Sequence, residues 1–405
     1  MGTVLVIGGG AAGLAAAIAA AECGDQVTIL ERMDRVGKKI LATGNGRCNL
    51  MNTGPRRFHG SAQLAEAVLD QCGVEAQSRF WQHIGLRMRQ EEGGRVYPVS
   101  GMASTVLDAL RFSAEALGVE TMVGIHVTGI FKARHGWTVM AGEQKWKADR
   151  VIVAGGGCAQ PKLGSDGSAW GLLTAHGHRM VKTMPALTQI LTDTGSIKGL
   201  SGIRLRTTVT ITSGEEKKYS ESGELLFADY GVTGVCVMQC ARYVCAGDVL
   251  HIDLIKALGF ASADEFRQEL YRRRNKWMNR MQSELLTGLC VPKIAQAMLQ
   301  VAGIKNAHSM PCGALKNAEI EHLVEVGADF SLNIRGVKGY ENAQVTAGGI
   351  AADEFDPVTM ESKLAAGLHA AGEVLDVDGD CGGFNLMFAF GSGILAGLNG
   401  RKEPW

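Results

Sequence analysis

The chain opens with apolar runs that are separated by glycine and polar residues. The segment TVLVIGGGAAGLAAAIAAAECGDQVTILER, from Thr3 to Arg32, contains a short β-branched run, a glycine cluster, an alanine-rich run, a turn at Gly24 and a second short apolar run that ends at Glu31. Short apolar runs bounded by turn residues favour buried strands, and the longer alanine-rich run favours a helix. This start therefore predicts a β-α-β unit.

Helix and strand patterns alternate after this unit. Apolar residues have helical spacing within residues 61–84 and 101–117, and short alternating segments between residues 119 and 154 predict strands. After Pro185 the pattern becomes rich in predicted strands, and residues 261–301 are predicted to be helical. The sequence thus changes character near residue 187, which predicts a second domain.

Composition and charge argue against several classes of function. The 405 residues include 41 Lys and Arg against 41 Asp and Glu, so the formal net charge is zero. Surfaces that bind nucleic acid or anionic lipid need a surplus of cations, so neither is expected as the main partner. Two uncharged stretches, residues 1–21 and 381–400, are rich in Gly and Ala, and the first is explained by its glycine motif. We therefore expect a cytoplasmic protein with no membrane partner.

The cysteine and histidine patterns predict no metal site. The ten cysteines lack CxxC spacing, and the ten histidines are scattered along the chain. Metal centres usually need such side chains at regular spacing. Free thiols are the expected state of the cysteines in a reducing compartment.

The glycine cluster is the strongest chemical signal. Gly8, Gly10 and Gly13 match GxGxxG between a predicted strand and a predicted helix, and Glu31 follows at the end of the next strand. In this context the first glycine allows a tight turn, the second lets a diphosphate approach the helix amides, and the third lets the helix pack on the strand. A carboxylate at position 31 would bind ribose hydroxyls and disfavour a 2′-phosphate. The pattern predicts a Rossmann-like dinucleotide site.

Residues 345–400 are rich in glycine and apolar residues, as the first residues of the chain are. This similarity indicates that the end of the chain completes the first domain. We therefore expect an α/β fold with a Rossmann-like dinucleotide-binding domain built from residues 1–187 and 336–405. Residues 188–335 are expected to form an inserted, β-rich, barrel-like domain with a helical subdomain at about 257–304.

Further segments favour FAD over NAD in this site. A polar glycine-rich loop at residues 37–49 follows the predicted adenosine strand, and a strand meets a triple glycine at residues 151–157. Residues 372–380 place several carboxylates near a strand end, where one can bind ribityl hydroxyls. Phe384 and Asn385 begin an uncharged helix whose amino end can stabilise negative charge on a flavin ring.

These segments resemble the HI0933-like family of FAD-dependent flavoproteins, whose members are also called BaiN-like or aminoacetone oxidase family proteins. The strings GGGAAG, GKKILATGNGRCN, GRVYP, ELLFADYGVTG, QVTAGGI and GEVLDVDGDCGGFN carry the resemblance across nearly the whole chain. It implies an FAD domain assembled from both chain ends and interrupted by a barrel-like and a helical region. Asp229, Val235 and the pair Met387 and Phe388 depart from the family pattern, so the resemblance leaves the substrate open.

The residue patterns and the resemblance together place the FAD contacts in several separate parts of the chain. The expected contacts are Gly8, Gly10, Ala11, Ala12, Gly13, Glu31, Arg32, Lys39, Thr43, Gly44, Asn45, Gly46, Arg47, Cys48, Asn49, Val127, Ala154, Gly155, Gly156, Gly372, Glu373, Asp380, Gly383, Phe384 and Asn385.

The favoured reaction is hydride transfer between the flavin N5 atom and a small or mid-sized organic substrate, such as reduction of an enone. Arg47, Arg95 and Tyr97 are the candidates to polarise a carbonyl or donate a proton, and structural roles are an equal alternative. The sequence contains no second GxGxxG motif. Any NAD(P)H is therefore expected to visit the substrate cleft transiently as electron donor.

Three other functions stay open at this point. The protein can be an amine oxidase that uses oxygen, or a sensor that binds FAD without catalysis. It can also be a flavin-dependent modifier of nucleic acid or protein that docks through the basic run from Arg272 to Lys276, although a solvated helix face is the favoured explanation of that run. The sequence predicts neither the substrate nor the oligomeric state.

Overall fold

The computed structural model describes residues 1–405 as two compact units. Residues 1–186 and 340–405 form the first unit, and residues 187–339 form the second. The inserted domain was expected at residues 188–335. The second unit extends to Gly339 because its last strand continues to Val337.

The structure contains 21 β-strands and 12 α-helices. The strands are β1 Thr3–Ile7, β2 Gln26–Glu31, β3 Met51–Asn52, β4 Phe58–Gly60, β5 Met88–Gln90, β6 Arg95–Pro98, β7 Glu120–Val123, β8 Gly129–Lys132, β9 Trp137–Ala141, β10 Gln144–Ala148, β11 Arg150–Val153, β12 Met180–Ala186, β13 Ile190–Thr192, β14 Arg204–Ser213, β15 Glu216–Ala228, β16 Gly231–Thr233, β17 Val249–Ile252, β18 Phe330–Val337, β19 Val345–Ile350, β20 Leu368–Ala370 and β21 Val377–Gly379. The α-helices are α1 Ala11–Glu22, α2 Lys38–Ala42, α3 Ala62–Gln71, α4 Val74–His83, α5 Ala103–Ala116, α6 Trp170–Thr174, α7 Val235–Cys240, α8 Leu254–Ala257, α9 Ala263–Lys276, α10 Pro292–Val301, α11 Asn317–Ala328 and α12 Phe384–Leu398.

A five-stranded parallel sheet forms the centre of the first unit. Its strand order is β20-β11-β1-β2-β7, and each neighbouring pair is parallel. The strands β1 and β11 are almost wholly apolar and buried, as strands covered on both faces must be. Because β20 comes from the last part of the chain, the sheet needs both chain ends.

The two apolar helices α1 and α12 pack directly on each other. A Cβ placed at Gly393 would lie 2.3 Å from the carbonyl oxygen of Ala12, and one at Gly397 would lie 2.3 Å from that of Ala16. These glycines are four residues apart and share one helix face, so they let the two backbones approach closely. The uncharged character of residues 381–400 is thus explained by burial. None of the helices combines the length and the apolar character needed to cross a membrane.

A closed barrel of six strands forms the second unit together with helices. The strand order is β13-β16-β15-β14-β17-β18, and β13 closes the barrel by pairing with β18. Alternate residues of its strands, such as Val209 and Ile211 in β14 and Leu250 and Ile252 in β17, are buried in a separate apolar core. The period of two along these strands is that of a sheet with one buried face.

The helical part of the second unit differs from the expected one. Residues 261–301 form two helices, because α9 ends at Lys276 and α10 begins at Pro292, a residue suited to the first turn of a helix. Helix α11, Asn317–Ala328, extends the helical region beyond the expected residue 304.

Candidate functional site

A long cleft lies in the first unit at the carboxyl ends of β1, β2 and β11. The amino ends of α1 and α12 both border it. Ligands of open α/β sheets bind at this edge of the sheet, where the strand order reverses. The position of the cleft therefore follows from the topology of the sheet.

The glycine turn between β1 and α1 brings backbone to the cleft. Gly8 has a φ of +102°, and a Cβ there would lie 2.6 Å from the carbonyl oxygen of Ala154. A Cβ at Gly13 would lie 1.9 Å from the carbonyl oxygen of Gly8, whereas a Cβ at Gly10 would have no atom within 4 Å. Gly8 and Gly13 thus serve close packing, and Gly10 keeps open the space in front of the helix.

The amino end of α1 has free hydrogen-bond donors. Gly10 is the residue before the helix, and no side chain caps the first turn. The first N–H groups of a helix have no partner within it, and they attract anions. The amides of Ala11 and Ala12 border the cleft and are therefore suited to a diphosphate.

Glu31 stands at the end of β2 with its carboxylate held in place. Its Oε2 accepts a hydrogen bond of 2.7 Å from the Gly9 amide, and its Oε1 accepts one of 2.7 Å from the Met33 amide. Carboxylate oxygens have further lone pairs, so ribose hydroxyls can still donate to them. The next residue, Arg32, pairs with Asp166 and donates to the Gly164 carbonyl at 3.0 Å.

Lys39 and Glu373 add a charged pair to the lining of the cleft. Lys39 Nζ lies 2.7 Å from Glu373 Oε2, and Glu373 Oε1 accepts a hydrogen bond of 2.9 Å from the Thr346 amide. These contacts fix the Glu373 carboxylate, which follows β20. The pair joins a cation from the first chain segment to a carboxylate from the last chain segment.

The amino end of α12 is the second helix end at the cleft. Gly383 precedes the helix with a φ of +108°, and no side chain caps the first turn. A Cβ at Gly383 would lie 2.8 Å from Oδ1 of Asn49, an oxygen that is buried and has no hydrogen-bond partner. Asn385 clamps the preceding loop, because it accepts from the Gly379 amide at 2.8 Å and donates to the Gly379 carbonyl at 2.7 Å.

The structure brings most of the expected cofactor contacts together. Those that line the cleft are Gly8, Gly10, Ala11, Ala12, Glu31, Arg32, Lys39, Thr43, Val127, Ala154, Gly155, Gly156, Gly372, Glu373 and Asn385. Those that do not line it are Gly13, Gly44, Asn45, Gly46, Arg47, Cys48, Asn49, Asp380, Gly383 and Phe384.

The residues outside the lining have other contacts. Asp380 is buried and its Oδ1 lies 2.8 Å from His59 Nε2, so its carboxylate is engaged on β4. The Phe384 ring packs edge-on against Phe58, with ring centres 5.8 Å apart. Burial raises the pKa of Cys48 to about 12 and also raises that of Cys381, so both thiols stay protonated at neutral pH. Protonated thiols are poor nucleophiles.

None of the three candidate catalytic residues lines the cleft, although Arg47 and Tyr97 contact each other. The Arg47 guanidinium is 4.1 Å from the centre of the Tyr97 ring, and its Nη2 is 2.6 Å from Glu91 Oε1. Arg95 and Tyr97 both belong to β6, which pairs with β3 and β5 in a small antiparallel sheet.

Sequence reasoning missed many residues of the cleft. The additional lining residues are Ile7, Leu30, Met33, Arg35, Lys38, Ile40, Ile125, His126, Leu163, Gly164, Ser165, Ser168, Ala169, Leu172, Gln344, Val345, Ala371, Val377, Leu386, Phe388 and Ala389. Ile125 and His126 come just after the parallel strand β7. Their position at the carboxyl end of a sheet strand was the signal that could have found them.

The cleft fits an extended dinucleotide. It combines a glycine cradle that side chains would fill, two helix amino ends without side-chain caps, and apolar walls such as Leu172 and Phe388. No group of three or more His, Cys, Asp or Glu side chains is arranged to hold a metal ion. Fold and cleft together define a Rossmann-type dinucleotide-binding protein.

Comparison with known proteins gives the family. The HI0933-like protein Rossmann domain matches residues 2–399, so the chain belongs to the HI0933-like family. The chain is 35% identical to the 3-dehydro-bile acid delta(4,6)-reductase of Clostridium scindens, over the full length of both chains. It is 25% identical to the ribosomal RNA dihydrouridine synthase of Haemophilus influenzae, over 98% of each chain.

A solved structure supports the fold assignment. The open conformation of a flavocytochrome c3 fumarate reductase aligns with a TM-score of 0.50 at 16% sequence identity, and covers 100% of this chain and 78% of that one. The expected α/β, Rossmann-type fold class and the expected family are thus confirmed.

Proposed function

We propose that this protein uses FAD and a reduced nicotinamide donor to reduce a carbon–carbon double bond conjugated to a carbonyl group in a small organic molecule. The observation that carries the proposal is the cleft of the first unit, which has a diphosphate cradle at one helix amino end and a second uncapped helix amino end further along. When bound, FAD supplies two-electron hydride chemistry.

Different residues of the cleft hold different parts of FAD. The amides of Ala11 and Ala12 suit its diphosphate, and the Glu31 carboxylate suits the adenosine ribose. The amino end of α12 favours negative charge on the redox-active ring, since helix dipoles are positive at that end. Apolar side chains along the cleft exclude water from the ring.

The names of two relatives support the reaction class. A 3-dehydro bile acid with double bonds at positions 4 and 6 carries those bonds in conjugation with its 3-oxo group. Dihydrouridine is formed when the ring double bond of uridine, which is conjugated to a carbonyl, is reduced. Both reactions add a hydride and a proton across a polarised double bond, although the two substrates differ greatly in size.

The basic run of the second unit supports a small substrate over RNA. Arg272 and Arg273 both pair with Glu269, and the pKa of that carboxylate is lowered to about 2 by hydrogen bonds from the two arginines. Arg273 is buried, and its Nη1 donates to the Leu285 and Thr287 carbonyls. Arg274 donates to Asn317 at 2.7 Å. The three guanidinium groups are thus engaged within the protein, which weakens the case for a phosphate-binding surface.

Anaerobic spectroscopy of the FAD-loaded protein tests the proposal. NADH and NADPH are mixed separately with the protein, and loss of the flavin absorbance is followed. A 3-oxo-Δ4,6 steroid is then added, with the saturated 3-oxo steroid as matched control. Reoxidation by the enone alone is the expected result.

Three other outcomes would favour the alternatives. Bleaching by amines, followed by reoxidation with oxygen only, would point to an amine oxidase. Reoxidation by uridine-containing RNA, with no response to enones, would point to the RNA modifier. A flavin that no donor reduces would leave only a binding role.

A further inference from the structure

Strand β6 carries two side chains, Arg95 and Tyr97, whose polar groups have no hydrogen-bond partner within the chain. Arg95 and Tyr97 are two residues apart, so their side chains leave the strand on the same face. The Arg95 guanidinium is half-buried and the Tyr97 ring is buried, yet neither polar group forms a hydrogen bond or ion pair within the chain. Half-buried groups of this kind are costly without a partner, so they indicate a role in binding.

Both residues lie near the end of the cleft that α12 borders. Arg95 is paired in register with Asn52, whose Nδ2 donates to the Gly382 carbonyl at 2.8 Å, directly before α12. Tyr97 lies beside the loop that begins at Thr43, because a Cβ at Gly44 would be 3.7 Å from Tyr97 Cε1. Thr43 itself lines the cleft.

The neighbouring Arg47 is already engaged. Its guanidinium stacks on the Tyr97 ring and pairs with Glu91, which raises the pKa of Arg47 and lowers that of Glu91. Arg89 also donates to Glu91, at 3.0 Å. Arg47 and Glu91 therefore fix the ring of Tyr97 in one orientation.

We propose that Arg95 and Tyr97 are the catalytic pair of the enone reduction, with Arg95 on the carbonyl oxygen and Tyr97 as proton donor to the α-carbon. This inference rests on the proposed function. In this assignment Arg47 and Glu91 are positioning residues that act through the Tyr97 ring.

The proposed enone reduction balances in atoms and charge. A hydride equivalent, which originates in the reduced nicotinamide donor, adds to the β-carbon, and the double-bond electrons move to make an enolate oxygen. Arg95 stabilises that oxygen by charge and hydrogen bonds. The Tyr97 hydroxyl then gives its proton to the α-carbon while the enolate returns to a carbonyl, and water reprotonates the tyrosinate. The sum is enone, NAD(P)H and a proton giving saturated ketone and NAD(P)⁺.

Binding of a phenol tests the role of Arg95 without turnover. A phenolate has a planar ring and a negative oxygen, as the enolate has, and its ionisation is visible by ultraviolet absorbance. With p-cyanophenol and the oxidised, FAD-loaded protein, Arg95→Gln is expected to raise the pKa of the bound phenol by about 1–3 pH units. Arg87→Gln is the control, since Arg87 is exposed and has no side-chain partner.

Single-turnover kinetics test both residues. Relative to the wild type, Arg95→Gln is expected to slow enone-dependent flavin reoxidation by about 10²–10³-fold. Tyr97→Phe is expected to slow it by about 10²–10⁴-fold. Arg95→Lys should recover part of the rate because it restores the charge. In D₂O, deuterium at the α-carbon should enter on one face in the wild type and on both faces in Tyr97→Phe.

The outcomes separate this inference from the proposed function. If the wild type reduces no enone, the proposed function fails. If the wild type reduces enones and Arg95→Gln matches Arg87→Gln in phenol binding and rate, the role of Arg95 is overturned. Stereospecific deuteration by Tyr97→Phe at an unchanged rate would overturn the role of Tyr97.

Discussion

Lys39 and Glu373 form an ion pair of 2.7 Å in the lining of the cleft, although 334 residues separate them in the sequence. Lys39 belongs to the first chain segment and Glu373 to the last. Glu373 also accepts a hydrogen bond from the Thr346 amide, so its carboxylate links three parts of the first unit. The pair thus joins the two segments that build the site.

Two substitutions of Glu373 should distinguish its ion pair with Lys39 from its hydrogen bond with the Thr346 amide. Both side chains of the pair are only about one-fifth exposed. Glu373→Gln keeps an acceptor for the Thr346 amide and loses the ion pair, which should lower the free energy of unfolding by about 1 kcal/mol. Glu373→Ala also loses a charge-assisted hydrogen bond and should cost a further 1.5–3 kcal/mol or so. Urea unfolding of the protein measures both values.

The exposed pair of Arg204 and Glu224 provides the control for this series. Their side chains are 65% and 45% exposed, so Glu224→Gln should change the free energy of unfolding by less than about 0.5 kcal/mol. Equal effects of Glu373→Gln and Glu373→Ala would contradict the role of the Thr346 contact.

Alanine substitutions should separate packing from binding in the glycine turn. Gly13→Ala forces a methyl group against the Gly8 carbonyl, at 1.9 Å before relaxation, and should destabilise the fold by about 1–3 kcal/mol or more. Gly10→Ala meets no atom within 4 Å and has an ordinary φ of −82°, so its effect on folding should stay below about 1 kcal/mol. Its methyl group projects into the space in front of the helix, so FAD should bind at least about tenfold more weakly.

Thermal unfolding and FAD titration of the apoprotein measure these two effects. The expected order is opposite in the two assays: Gly13→Ala has the lower melting temperature, and Gly10→Ala has normal stability with weak FAD binding. Normal FAD affinity of Gly10→Ala would mean that the diphosphate does not approach this helix end.

The fold of the first unit could be predicted where its signals are local. The strand, turn, helix and second strand from Thr3 to Glu31 are contiguous, so their pattern was enough to predict them. The helical part of the second unit was harder, because apolar spacing continues through residues 277–291, where the structure has no α-helix. Only Pro292 marks the start of the next helix in the sequence.

The site could be predicted where backbone forms it, and less well where side chains meet across the fold. Gly8, Gly10 and Glu31 act through a turn and a strand end that the motif defines. Asp380 lies in a segment with several carboxylates, and nothing local indicates that it pairs with His59, 321 residues away. Such pairs depend on tertiary folding, so the sequence gives no distance for them.

Glu31 should affect FAD binding more than a neighbouring carboxylate on the same sheet. Its two oxygens hold the Gly9 and Met33 amides, and charge-assisted bonds of this kind are worth about 1.5–3 kcal/mol each. Glu31→Gln should weaken FAD binding by about 10–100-fold, equal to about 1.4–2.8 kcal/mol. Glu31→Arg should release FAD during dialysis. Flavin absorbance after dialysis measures retention.

Glu120→Gln on the adjacent strand β7 is the matched control, because Glu120 is exposed and its carboxylate accepts a hydrogen bond of 3.2 Å from the Thr28 hydroxyl. It should keep normal FAD content. Full retention of FAD by Glu31→Arg would place the adenosine elsewhere.

A buried histidine should make stability depend on pH. His369 lies in β20 and is fully buried. Its Nδ1 donates to the Thr359 carbonyl at 3.0 Å, and its Nε2 has no partner. Burial lowers the pKa of His369 from 6.5 to about 4, so the folded protein holds the neutral ring.

The sign of the pH effect follows from proton binding. Between pH 6.5 and about 4 the unfolded chain binds a proton at His369 and the folded chain does not, so acid favours unfolding. Above about pH 6.5 the titration of His369 does not affect the free energy of unfolding. As the pH approaches 4, it lowers the free energy of unfolding by up to about 3 kcal/mol. His369→Asn keeps a donor for Thr359 and removes the titration, so it should flatten the loss of stability in this window. Urea unfolding at several pH values measures the slope, and His322→Asn, which changes a 67% exposed side chain, should leave it unchanged. An equal slope in the wild type and His369→Asn would mean that folding does not lower the pKa of His369.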